Sequence, residues 1–170
     1  MRNHTKAVLL FLFAVLMLSA CSASLKEEQN AALETARETF KKEPKETNNK
    51  NQDIKFYLPF GFEVKEETPN NIILKNGAKT YILFYNQHEG STSKVVYEAT
   101  LKQDDYEINE TFTKEGYLGY LLINNTDKNI NELTVGVGGV KITTQAKTKG
   151  LSTEVAAMME IVNSIKMMEE

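Results

Sequence analysis

Residues 7–18 read AVLLFLFAVLML, twelve apolar positions in a row. They follow MRNHTK, which carries Arg2 and Lys6 and no acid, and they run into Leu18-Ser19-Ala20-Cys21. A basic start, a short apolar run and small residues behind it make an export signal, not an element of a fold. Twelve helical residues rise about 18 Å, short of the roughly 30 Å hydrocarbon core of a bilayer. Residues 1–20 are therefore expected to be removed.

Residues 22–43 are rich in helix formers. Leu33, Ala36 and Phe40 form a narrow apolar stripe at helical spacing, and Pro44 stops the helix. So thin a stripe reads as a solvated spacer, with a partner-binding helix as the alternative. Residues 44–53, PKETNNKNQD, hold no apolar side chain and read as a linker.

From Ile54 the period changes to two. Ile54, Phe56 and Leu58 alternate with other residues, and Gly61 marks a bend before Phe62-Glu63-Val64. Residues 72–75 and 79–85 flank Asn76-Gly77, a strong hairpin signal. Residues 79–85 are apolar on both faces and read as a central strand. Residues 86–94 form a loop, and 95–101 fit strand or helix. Tyr106, Ile108 and Phe112 alternate, 116–123 read as a buried strand, and 124–131 as a polar turn. Residues 133–137 and 140–144 make a last hairpin. A closing helix, capped by Ser152 or Thr153, carries Val155, Met158, Met159, Val162 and Ile165 on one stripe. The expected fold of residues 54–170 is α+β: a mainly antiparallel sheet with the C-terminal helix packed on one face.

Composition changes this picture little. The chain has 170 residues, 41% hydrophobic and 25% charged, with a formal net charge of −3. Loss of residues 1–20 removes two bases and no acid, so the remainder is more acidic still. That balance argues against nucleic-acid binding, which needs a basic surface. A single cysteine rules out an internal disulfide and any multi-cysteine metal site.

The position of that cysteine matters more than its number. Leu18-Ser19-Ala20-Cys21 resembles the lipobox of bacterial lipoproteins. The resemblance implies a diacylglyceryl thioether on Cys21, cleavage between Ala20 and Cys21, and acylation of the new amino group as an optional further step. Two acyl chains anchor stably where one binds reversibly. The implied location is the extracytoplasmic face of the cell membrane. On this reading residues 21–43 are the lipidated N-terminus and spacer. The phrases Leu58-Pro59-Phe60-Gly61-Phe62 and Ile161-Val162-Asn163-Ser164-Ile165-Lys166 resemble PsbP-like domains, which also occur in lipoproteins of Gram-positive bacteria. That likeness implies an antiparallel sheet flanked by helices, usually without catalytic machinery.

Candidate chemistry is sparse. His4 lies in the export signal, and His88 sits alone in a loop with no cysteine to pair with. Asp104, Asp105 and Glu107 lack the spacing and glycine of a calcium loop. Gly136, Gly138 and Gly139 lie between strand-like residues, unlike a dinucleotide fingerprint, which opens a helix. They suit a bulge or tight turn. Tyr81, Tyr85, Tyr117 and Tyr120 fit cross-strand packing or, alternatively, a ligand groove. No cofactor, metal or catalytic residue is expected. The expected function is a membrane-anchored, non-catalytic binding or accessory factor with an envelope or secreted partner. A small-ligand carrier or sensor with an aromatic-lined pocket is the alternative, and an enzyme of unrecognised type the third reading.

Overall fold

The computed structural model describes residues 24–168. Cys21, Ala20, His4 and the export signal lie outside the described residues. Ser24 opens the first helix, α1 (Leu25–Lys41), with a capping box: its hydroxyl accepts from Glu27 N–H, and the Glu27 carboxylate accepts from Ser24 N–H. Then come β1 (Asn49–Lys50), β2 (Ile54–Phe56), β3 (Phe62–Thr68), β4 (Asn71–Asn76) and β5 (Lys79–Tyr85). A short helix α2 (Val95–Leu101) precedes β6 (Ile108–Lys114), β7 (Tyr117–Asp127), β8 (Ile130–Val137) and β9 (Val140–Lys147). The helix α3 (Leu151–Asn163) and β10 (Lys166–Met167) follow.

Seven strands form one antiparallel sheet in the order β3-β4-β5-β9-β8-β7-β6. It is two meanders, β3-β4-β5 and β6-β7-β8-β9, joined where β5 pairs β9. The connection between the meanders carries α2. A smaller sheet pairs β2 with β1 and β10. The α+β class, with a large antiparallel sheet and the C-terminal helix on one face, agrees with the sequence reading.

Strand alternation sends Ile72, Leu74, Tyr81, Leu83, Leu133, Val135 and Ile142 to one face, all fully buried. Both long helices cover that face, α3 over β8 and β9, and α1 over β6 and β7. α3 brings Val155, Met158, Met159 and Val162 to the core, and α1 brings Ala32, Ala36 and Phe40. The two alanines let α1 lie closely along α3. The spacer expectation for residues 22–43 is thus corrected: α1 belongs to the folded body, which begins at Leu25, not Ile54. The stripe looked thin because close helix packing uses small residues.

Residues 44–53 need a similar correction. They lack apolar side chains but supply β1, and their asparagines bond like backbone. The Asn48 side chain accepts from Leu58 N–H at 2.7 Å and donates to Leu58 O at 3.0 Å. Asn51 Oδ1 accepts from the N–H groups of Asp53 and Ile54. Other differences are local. Residues 95–101 resolve as helix. The run 124–131 is mostly ladder, with pairing as far as Asp127 and Ile130 and only residues 128–129 turning. α3 is capped by Gly150, in the left-handed region at φ 99°, ahead of Ser152 and Thr153.

Phe40 is 2% exposed and packs on Phe112 with ring centroids 5.2 Å apart. Phe40→Ala is expected to cost about 3–5 kcal/mol, the range for a buried aromatic, measured by urea unfolding. A solvated spacer would give a change within about 0.5 kcal/mol.

Candidate functional site

The second face of the sheet is covered unevenly. On β5, Ile82 and Phe84 point away from the helices that cover Tyr81, Leu83 and Tyr85. On β7, Leu118, Tyr120 and Leu122 point the same way and form a small second core with Tyr97, Leu101 and Tyr106. α2 covers this patch, and Gly136 on the neighbouring strand leaves the room that the Tyr120 ring fills. Seven residues of helix do not reach across to β5. Ile82 stays 47% exposed and Val95, on the near edge of α2, 52% exposed. Between them lies a groove of about 540 Å³, within the roughly 300–1,000 Å³ range of small-ligand sites.

The groove floor is built by register. Ile82 pairs Thr143, which pairs Thr134, and their hydroxyls meet at 2.8 Å. One row further on, Phe84 pairs Lys141, which pairs Gly136. Glu132 lies on the other side of the Thr row, on β8. The wall is Val95, Val96, Ala99 and Thr100 of α2, continued by Gln103 and Tyr106.

Lys141 is the cation of the groove. Its Nζ donates to Thr100 Oγ1 at 3.0 Å, and that hydroxyl donates its own proton to Val96 O at 2.7 Å. The Thr100 lone pair is thereby aimed at the ammonium. Burial pushes the Lys141 pKa down, and Glu132 partly opposes the shift. No carboxylate among the described residues stands in ion-pair contact with Lys141. Burial, then Glu132 and Asp104, push the Tyr106 phenol up. The arrangement can take apolar groups on Ile82 and Phe84 and polar ones on the Thr, Lys and Glu side chains.

No family model and no curated protein matches the chain.

The residues singled out by sequence fall elsewhere. His88 is exposed on the loop after β5 and lines no part of the groove. Asp104 accepts from Asn124, Glu107 accepts from Gln29 of α1, and no cluster of three metal-ligating side chains occurs among the described residues. Gly138 and Gly139 form the two-residue turn between β8 and β9. The loop carrying Glu89, Gly90 and Ser91 lies so close to both that a side chain would strike its backbone. The turn is laced to that loop by Asn86 N–H to Gly139 O and Gly139 N–H to Gly90 O.

The tyrosine groove takes a different form from the one expected. Tyr81 is buried and donates to Glu154 on α3 at 2.6 Å, and Tyr85 donates to Asp53 at 2.8 Å. Tyr120 is also buried, its hydroxyl on Val140 O, while Tyr117 is 48% exposed beside a different depression. None of the four lines the groove, whose aromatics are Phe84 and Tyr106. Sequence reasoning missed Lys141, Glu132, Ile82 and Tyr106 as site residues. The one available signal was the double-faced apolar pattern of β5.

Lys141 yields a stability prediction. A lysine whose pKa falls on folding binds fewer protons folded than unfolded through the interval between the two values, so stability rises with pH there. Below that interval the protonated, desolvated side chain works against folding. Lys141→Met should therefore melt at the same or a higher temperature than the wild type at pH 7. The difference should shrink as pH rises into the usual lysine range. A clear loss of stability at pH 7 would contradict this.

Proposed function

We propose that the chain is a bacterial lipoprotein, held at the extracytoplasmic face of the cell membrane by lipid on Cys21. It acts there as a non-catalytic binding factor, and its ligand lies in the groove between α2 and the sheet. The observation that carries the binding role is the groove itself, an open, partly apolar concavity with a half-buried lysine on its floor. The likeness to lipobox proteins carries the anchor, and the likeness to PsbP-like domains belongs to the same proposal. The groove volume suits a small ligand and favours the carrier or sensor form of the reading over a large protein face.

The corrected boundary of the body gives the proposal a geometry. Cys21 precedes the helix cap Ser24 by three positions, and an extended chain spans at most about 3.6 Å per residue. The lipid-bearing residue then lies within about 11 Å of Ser24. The N-terminal end of α1 would stand at the lipid headgroups. Gln29, near that end, donates to Glu107 at 2.9 Å, and on this proposal the Tyr106 side of the groove would face the membrane as well.

Two measurements test the reading. Radiolabelled palmitate should follow the wild type, and Cys21→Ser should carry none; label persisting in Cys21→Ser would contradict the anchor. Nile red, a neutral apolar dye, should gain fluorescence on the wild type and lose most of the gain with Thr143→Trp, which fills the groove floor. An unchanged gain in Thr143→Trp would remove the groove as the site.

A further inference from the structure

We infer that the groove takes a short peptide with both termini free, its carboxylate on Lys141 and its α-ammonium on Glu132. The inference rests on the reading of the groove as the ligand site and adds the chemical class of the ligand.

The groove is lined by one cation and one anion, and they lie apart along the strands. Lys141 pairs across from Gly136, and Glu132 stands four residues before Gly136 on β8. Four strand residues span about 13 Å, shortened by the reach of both side chains. The two charges form no ion pair with each other, and among the described residues neither has an oppositely charged partner in contact. Among the described residues the only hydrogen bond of the Lys141 ammonium is to the neutral hydroxyl of Thr100, which leaves two of its N–H donors for a ligand.

The charges select the ligand. A purely apolar molecule can lie on Ile82 and Phe84 but leaves both charges without a partner, so it forgoes what they offer. A simple anion would satisfy Lys141 and leave Glu132 repelling it. A zwitterion satisfies both ends at once. Glu132 acts on the Lys141 charge without touching it, so the two charges of the ligand must stand apart along the strands. Two or three extended residues, at about 3.3–3.6 Å each, fit within the roughly 13 Å between the two backbone positions. Between the charged ends Ile82 offers apolar contact, Phe84 adds to it in the Lys141 row, and the half-buried Thr143 hydroxyl lies beside Ile82 for a peptide backbone.

The test is calorimetric titration of the full mature chain with trileucine, N-acetyl-trileucine and trileucine amide near pH 7. Free trileucine should bind, and each capped form should bind at least tenfold more weakly. Lys141→Met should abolish the penalty for amidation but keep that for acetylation, and Glu132→Gln should do the reverse. Both substitutions nearly preserve side-chain volume. If either variant fails to fold, the capped series on the wild type decides alone. Capped peptides binding as well as the free one would overturn the inference. So would trileucine failing to bind a protein that binds Nile red in the groove, and in that case the groove reading survives. A protein that binds neither loses both.

Discussion

Side chains of a strand alternate between the two faces of its sheet, so a seven-stranded sheet must find cover for two surfaces. The described residues hold two long helices, and both go to the same face. α1 and α3 pack against each other through Ala32 and Ala36 and close over Leu83, Leu133, Val135 and Ile142. The polar tips of the tyrosines on that face are tied off at its margins, Tyr81 by Glu154 and Tyr85 by Asp53 and Asn51. The inner face is thereby finished. What remains for the other is a seven-residue helix in the connection between the two meanders.

That shortage shapes the outer face. α2 is placed over Leu118, Tyr120 and Leu122, where the apolar surface is densest, and the loop before it is fastened to the Gly138-Gly139 turn. Elsewhere the outward positions of β8 and β9 carry polar side chains, with Glu132, Lys141 and Thr143 partly exposed and Thr134 buried. Ile82 and Phe84 are the exceptions, two apolar side chains at the border between covered and uncovered sheet. A half-buried lysine nearby carries a desolvation cost that a better-covered or more open sheet would avoid. An exposed Ile82 and a lysine held by Thr100 thus share the uncovered border of the sheet.

Much of the architecture was legible in the sequence, for identifiable reasons. Asn76-Gly77 between apolar runs specified a hairpin by local backbone preference, and the broad stripe of α3 specified a buried helix. α1 was misjudged because alanines weigh little in an apolar count, although they allow close helix packing. Residues 44–53 read as a linker because asparagine side chains can stand in for backbone partners without any apolar signal. The polar ends of β7 and β8 were missed for a related reason: ladder bonds are made by backbone, whatever the side chains. The groove was illegible in a stronger sense. Glu132 and Lys141 are ordinary outward residues of two strands. They become parts of one site only through the β8–β9 register, the pairing of β5 with β9, and the resting place of α2. The tyrosines drew attention by their number, yet three of the four serve the buried parts of the fold.

The account depends on the sheet being closed on one face and open on the other. Thiol reactivity compares the two faces at adjacent residues of one strand. In a Cys21→Ser background, Ile82→Cys places a thiol on the outer face and Leu83→Cys places one on the inner face. Under native conditions a maleimide should label Ile82→Cys rapidly and Leu83→Cys only at a rate limited by unfolding. Equal protection of the two thiols would show that the outer face is closed and would contradict the account.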